Sequence, residues 1–118
     1  MKKLSFFLIV FMVNNLSAQD LSQYKKEKIV FETDTLNYRI LKPLNYNPSK
    51  QYPVHLFLHG AGERGNDNES QLVHGAKLFL KKENREQFNS WVIFPQAPKN
   101  DWWGYKDPYK FAYNVKES

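Results

Sequence analysis

Short apolar runs along the chain predict strands, and two of them flank a segment with helical character. Residues 28–33 (KIVFET) and 36–42 (LNYRILK) are rich in β-branched and aromatic residues, and the polar turn between them predicts a β-hairpin. Residues 54–58 (VHLFL) and 91–94 (WVIF) are almost wholly apolar. Such runs are typical of strands covered on both faces of a parallel sheet, and we expect Pro95 to end the second one.

A helical segment is expected between these two buried strands. Asn66 or Asp67 can cap a helix through residues 70–73, and Gly75 is expected to interrupt it before residues 76–88 resume it. Hairpin, buried strand, helix and buried strand is the order of an α/β fold, in which an antiparallel hairpin precedes parallel strands joined by a crossover helix. Ligands of such sheets bind outside the carboxyl ends of the strands. A glycine-rich loop and a tryptophan-rich loop follow the two buried strands at that edge.

The first residues of the chain have the pattern of an export signal. Lys2 and Lys3 precede the apolar residues 4–13, and Ala18 places a small residue before the expected cleavage point. The apolar run is well short of the roughly 20 residues that a membrane-spanning helix needs. We therefore expect a secreted or periplasmic protein with no stable membrane anchor after cleavage. The expected divisions are a signal peptide, a disordered lead-in and one partial domain, at residues 1–18, 19–27 and 28–118.

Charge and cysteine content exclude several classes of protein. The net charge of +5 falls to +3 without the two leader lysines, and basic residues are interleaved with acids, as in residues 81–86 (KKENRE). Nucleic-acid-binding proteins concentrate basic residues on one face, so no nucleic-acid partner is expected. The absence of cysteine excludes a disulfide framework and a cysteine-ligated zinc site. No metal site is predicted, since His55 and His59 on one strand would be about 13 Å apart. No cofactor is predicted either.

The loop HGAGERG, residues 59–65, has three interpretations. Its glycines match the G-x-G-x-x-G pattern of dinucleotide-binding loops. Such a loop follows the first strand of its unit and opens directly into a long helix, whereas this loop follows a hairpin and a separate strand. A second interpretation is a tight turn that needs glycines for its geometry alone. The third is an oxyanion hole, in which a backbone N–H stabilises the charge that develops on a substrate oxygen. In that case Gly60 and Gly62 clear the approach to the Ala61 amide and supply unusual backbone dihedrals.

Three blocks of the sequence resemble secreted carboxylesterases of the α/β-hydrolase superfamily, the branch related to phospholipase/carboxylesterases, feruloyl esterases and dienelactone hydrolases. Residues 56–68 (LFLHGAGERGNDN) resemble the loop after the family's third strand together with its flanks. Residues 91–98 (WVIFPQAP) resemble the fourth strand and its exit, and residues 38–43 (YRILKP) resemble the second strand. Trp102 and Trp103 follow the fourth strand as they do in that group.

The resemblance implies a serine esterase whose oxyanion loop contains Gly60, Ala61 and Gly62, with the Ala61 N–H as donor. It places three substrate-binding residues at the site, namely His59, Trp102 and Trp103. We expect His59 to lie beside the oxyanion loop, one tryptophan to line a pocket and the other to pack. The implied substrate is a small-molecule or polysaccharide-linked ester, and no cofactor is implied. Glu63 and Arg64 either bind a polar substrate or fix the loop by local ion pairs and hydrogen bonds.

The chain lacks the G-x-S-x-G sequence that holds the family's nucleophile after the fifth strand. We therefore interpret it as the N-terminal portion of an α/β-hydrolase fold, truncated before the nucleophile elbow. Alone it is expected to be inactive and poorly soluble, because residues 54–58 would form an unpaired apolar edge. The alternative is a non-catalytic secreted domain of the same fold that binds a ligand, such as a carbohydrate, through Trp102, Trp103 and Tyr105.

Overall fold

The computed structural model describes residues 20–104, which form a mixed four-stranded sheet with short helices packed on one face. The strands are β1 (Lys25–Phe31), β2 (Asp34–Leu41), β3 (Val54–Leu56) and β4 (Trp91–Gln96), in the spatial order β1-β2-β4-β3. β1 and β2 are antiparallel, as are β2 and β4, whereas β3 is parallel to β4. The predicted signal peptide at residues 1–18 lies outside the described residues, and so does Tyr105.

The first two strands form the expected β-hairpin. Its register pairs Phe31 with Asp34 across a two-residue turn, in which Glu32 has a left-handed φ of 53°. Both strands begin a few residues earlier than their composition indicates, because the polar residues at their starts pair across the hairpin as readily as the apolar ones.

The lead-in expected at residues 19–27 is ordered where the structure describes it. The Asp20 side chain accepts the Ser22 amide and caps a 3₁₀ turn at Leu21–Gln23. Tyr24 is then buried, and its hydroxyl donates to the Ala76 carbonyl at 2.9 Å. The expectation of disorder was wrong for this segment, because one aromatic side chain in the core ties it to the helical layer.

The helical segment is more broken than its sequence indicates. It consists of 3₁₀ turns and two α-helices, Ala61–Glu63, Ser70–Leu72, α1 (Ala76–Leu80) and α2 (Lys82–Gln87). The single helix expected over residues 76–88 ends at Lys81, whose extended ψ of 131° separates α1 from α2. Gly75 precedes α1 with a φ of +81°, and a Cβ there would lie 2.7 Å from the Phe57 ring. Close approach and backbone conformation therefore both require glycine at that position, as the expected interruption implied.

One apolar cluster joins the helices to the sheet. Its buried members come from the lead-in, β2, β4 and the helical segment, namely Tyr24, Leu41, Leu72, Ala76, Leu80, Val92 and Phe94. Alternate residues of β4 point toward the helices, since side chains alternate across a strand. Burial of each large apolar side chain contributes about 1.5–3 kcal/mol. None of the helices in residues 20–104 is long and apolar enough to cross a membrane.

Two expectations for the buried strands were wrong. β3 is not covered on both faces, and Val54 and Leu56 are 59% and 61% exposed. It is an unpaired edge strand of the described sheet, as expected for residues 54–58 in this chain alone. Pro95 does not end β4, because it pairs with Tyr38 inside the strand. The Ile93 carbonyl faces β3, where it accepts the Phe57 amide. By alternation Pro95 faces the same side, where β3 has already ended and a missing N–H is tolerated.

Candidate functional site

The glycine-rich loop leaves β3 and crosses the carboxyl end of β4. Ala61–Glu63 forms a single 3₁₀ turn, which Gly60 enters with an extended backbone at φ −80° and ψ −175°. The unusual dihedrals expected at Gly60 and Gly62 are therefore absent, since neither glycine lies in the left-handed region. Of the two, only Gly60 is sterically restricted. A Cβ on Gly60 would lie 3.3 Å from the Glu63 carboxylate, whereas nothing lies within 4 Å of a Cβ on Gly62.

His59 is buried and joins the start of this loop to the end of β4. Its Nε2 accepts a hydrogen bond from the Ala97 amide at 3.0 Å, so the ring proton must lie on Nδ1. That proton is donated to the Gly60 carbonyl, at an Nδ1–O distance of 2.6 Å. Both ring nitrogens are thus bonded to backbone groups, which fits a positioning role for His59 and leaves neither free for a substrate.

Gln96 forms a second junction between β4 and the loop. This side chain is 1% exposed, and its Nε2 donates to the Glu63 carbonyl at 3.1 Å and to the Asp67 carboxylate at 2.7 Å. Its Oε1 accepts the Asn68 amide at 2.8 Å. A Cβ on Gly65 would lie 3.3 Å from the Gln96 Nε2, so the lack of a side chain at Gly65 leaves room for the side-chain amide of Gln96. Sequence analysis missed Gln96, since the only available signal was one polar residue at the end of an apolar strand.

The far end of the loop is fixed by the exposed Asp67 and the buried Asn68. Asp67 accepts the amides of Glu69 and Ser70 at 2.9 and 3.0 Å. It is not the N-cap residue, because Glu69 holds that position before the 3₁₀ turn Ser70–Leu72, so the cap expected at Asn66 or Asp67 was wrong. The Ser70 hydroxyl and these amides, together with Gln96, hold the pKa of the Asp67 carboxyl well below its usual range. Asn68 has a left-handed φ of 54°, and its side-chain amide donates to the Tyr38 carbonyl at 3.3 Å. The loop is therefore tied to β2 as well as to β4.

The two tryptophans of the following loop differ in their surroundings. Trp103 is half-buried against the His59 ring, and its indole N–H donates to the His59 carbonyl at 3.1 Å. Trp102 is 38% exposed, and the Arg64 guanidinium carbon lies 3.8 Å from its ring centroid. Arg64 also donates from Nε to the Ala61 carbonyl at 2.9 Å. Trp103 is thus the packing residue, and Trp102 is the one that faces solvent beside the loop.

His55 lies away from the glycine-rich loop, and the acidic residues add no metal site to it in the part of the chain that the structure describes. The His55 Nδ1 lies 2.8 Å from the Ser90 hydroxyl, and the ring faces Phe79 in the helical layer. A groove of 270 Å³ is lined there by His55, Leu78, Phe79, Asn84 and Phe88, none of which was predicted as a site residue. Within residues 20–104, no cluster of three or more histidine, cysteine or acidic side chains could hold a metal ion.

No protein-family model matches the chain, and no curated protein sequence is similar to it. A solved structure that is similar is the crystal structure of a thermostable esterase. Its TM-score to this chain is 0.64 at 26% sequence identity, over 80% of this chain and 29% of the esterase chain. The chain therefore spans under a third of the esterase's length. The mixed sheet and this similarity give the chain the fold of part of an α/β-hydrolase.

Proposed function

We propose that the chain is the N-terminal portion of an exported serine hydrolase that cleaves carboxylic esters. We assign it to the branch related to phospholipase/carboxylesterases, feruloyl esterases and dienelactone hydrolases. The observation that carries the proposal is the position of the Ala61 amide at the carboxyl end of the parallel strands, in a loop fixed by His59 and Gln96. The similarity to an esterase over 80% of the chain supports it.

Ala61 has the features that an oxyanion donor needs. It is the first residue of a 3₁₀ turn, so its amide has no acceptor inside that turn. Among residues 20–104 no other backbone carbonyl accepts it. The open space above Gly62 gives a substrate oxygen room to approach. The amide also costs no reorganisation when charge develops, because buried hydrogen bonds already hold the loop.

The remaining chemistry comes from elsewhere in the proposed protein. A serine nucleophile, a histidine base and an acidic residue would follow this chain, which by itself would be inactive. Residues 1–18 direct export to the periplasm or the medium, and small-molecule or polysaccharide-linked esters are the substrates. We propose no cofactor, nucleic-acid partner or lasting membrane anchor. The alternative of a carbohydrate-binding domain is less well supported, since Trp103 is engaged by His59 and one face of Trp102 is covered by Arg64.

The test is a proline substitution in the complete gene product. Ala61→Pro removes the amide hydrogen, and the extended Gly60 backbone is the conformation that a residue before proline prefers. Ala61→Ser keeps the amide and is the matched control. We expect Ala61→Pro to lower kcat on a nitrophenyl acetate by about 10²–10³-fold. A fluorophosphonate probe should label the unmodified protein at a serine outside residues 1–118.

Two results would refute the proposal. One is a gene product that neither reacts with the fluorophosphonate nor hydrolyses simple esters. The other is an active Ala61→Pro variant with the same kcat as Ala61→Ser, which would place the oxyanion donor elsewhere.

A further inference from the structure

Arg64 and Trp102 form a cation–π pair beside the glycine-rich loop. We propose that this pair binds a carboxylate on the substrate. The substrates would then be esters that carry a free carboxylate near the scissile bond. This inference rests on the proposed ester hydrolysis, since it assigns a substrate class to that site.

The guanidinium of Arg64 is held by two contacts. Its Nε donates to the Ala61 carbonyl at 2.9 Å, and its central carbon lies 3.8 Å from the Trp102 ring centroid. Together the hydrogen bond and the cation–π contact hold the guanidinium beside the loop. The Nη atoms are the donors of the guanidinium fork that neither contact uses. A planar fork of this kind matches a carboxylate with two parallel hydrogen bonds.

The acidic side chains around Arg64 are engaged by other groups. The Glu63 carboxylate lies 3.4 Å from the His74 Nε2, and the Asp67 carboxylate accepts backbone amides and Gln96. Asp101 accepts the Trp102 amide at 2.8 Å. Within residues 20–104, no carboxylate forms an ion pair with Arg64. Among the described residues, therefore, nothing neutralises the positive charge of Arg64, and an anion of the substrate can bind to it.

The position of the pair links this charge to the reacting bond. Arg64 is anchored on the carbonyl of Ala61, whose amide is the proposed oxyanion donor. A substrate whose ester oxygen reaches that amide would bring its neighbouring groups toward Arg64 and the exposed side of Trp102. If Arg64 only fixed the loop, its loss would slow neutral and charged esters equally. Recognition of a carboxylate predicts unequal effects, and the ratio of the two rates separates the two roles.

The experiment compares kcat/KM for 4-nitrophenyl hemisuccinate with that for 4-nitrophenyl butyrate, in the complete gene product and in Arg64→Gln and Arg64→Lys. Lys77→Gln removes one positive charge from an exposed position on α1 and is the control. We expect Arg64→Gln to lower the ratio at least about tenfold, mainly through KM of the charged ester. Arg64→Lys should restore part of it, because it keeps the charge and loses the fork. Lys77→Gln should leave the ratio unchanged.

A binding measurement keeps the inference testable if the protein hydrolyses neither ester. Benzoate is titrated against the protein while the indole N–H signal of Trp102 is followed by NMR, with benzamide as the neutral probe and Trp102→Phe for assignment. Benzoate-specific shifts that Arg64→Gln abolishes would support the carboxylate site even if the fluorophosphonate test had failed. An unchanged ratio in active Arg64→Gln, or equal responses to benzoate and benzamide, would overturn it.

Discussion

The Nε2 atom of His59 accepts the Ala97 amide at the point where β4 has passed the end of β3. Ala97 faces the same side of β4 as Ile93, whose carbonyl accepts the Phe57 amide. The carbonyl of Ala97 accepts the Gly65 amide at 2.9 Å. The His59 imidazole and the Gly65 amide thus form the hydrogen bonds to Ala97 that β3 would form if it continued past Leu56. The loop stays in register with the sheet although it has no regular strand structure.

Replacement of His59 by phenylalanine tests this junction. His59→Phe keeps an aromatic ring against Trp103 but leaves the buried Ala97 amide without an acceptor. We expect the free energy of unfolding to fall by about 1–3 kcal/mol, which is the usual cost of an unsatisfied buried group. Urea unfolding measures the change. His74→Phe is the control, because the His74 side chain is 70% exposed, and a similar loss in both variants would contradict the assigned role of His59.

Gln96 should control the opening of the loop independently of overall stability. Gln96→Met has a similar shape but removes the bonds to Glu63, Asp67 and Asn68. We expect the Asn68 amide to exchange with deuterium at least about tenfold faster, since it loses an acceptor that is worth on the order of 1 kcal/mol or more. Native-state hydrogen exchange measures this rate. Gln87→Met on the exposed side of α2 is the control, and equal exchange at Asn68 in both variants would refute the role of Gln96.

The depressed pKa of Asp67 gives stability a pH dependence of definite sign. The Ser70 hydroxyl and the backbone amides favour the ionised carboxyl, so the folded pKa lies below the unfolded value of about 3.9. A group with a lowered folded pKa stabilises the protein above the unfolded pKa, and the contribution is lost as the pH falls toward the folded pKa. Asp67→Asn cannot ionise. Its deficit in unfolding free energy should therefore be constant above about pH 5 and shrink below about pH 4.

Urea unfolding of both proteins from about pH 2 to about pH 7 measures that deficit. A difference that stays constant over the whole range would mean that the Asp67 carboxyl titrates alike in the folded and unfolded chains. The bonds from Ser70 and Gln96 would then not favour its ionised form.

Local patterns in the sequence predicted the elements that depend on local chemistry. The hairpin followed from β-branched residues around a turn, and the interruption at Gly75 followed from its lack of a side chain. These features need only neighbours along the chain. The α/β class followed in the same way from the order of the elements.

Features that depend on distant contacts were not predicted. Tyr24 orders the lead-in through a carbonyl far along the chain, at Ala76, and the break at Lys81 has no helix-breaking residue to mark it. The steric role of Gly65 became visible only with the Gln96 amide beside it. The expected coverage of β3 followed from its composition, which reports how apolar a strand is and carries no information about which strands lie beside it.

The exposed edge at β3 connects the fold with the proposal that more chain follows. Leu56 is 61% exposed on the edge strand, and Val30 is 62% exposed on β1 at the opposite edge. In residues 1–118 alone, Leu56→Lys should reduce aggregation, because a charge on an apolar edge blocks strand pairing between molecules. His55 and Phe57 face the helical layer, so Leu56 projects from the opposite face of the sheet. In the complete gene product further chain would cover that face of β3, and the same substitution would bury a charge.

The short chain and the complete protein should therefore respond in opposite ways. Light scattering of residues 1–118 should fall with Leu56→Lys, whereas the complete protein should lose about 1–3 kcal/mol of unfolding free energy in urea. Val30→Lys has matched exposure and should change the stability of the complete protein by less than about 0.5 kcal/mol. If Leu56→Lys is as harmless as Val30→Lys in the complete protein, the face of β3 that carries Leu56 is exposed there too. The proposal that further chain covers β3 would then be wrong.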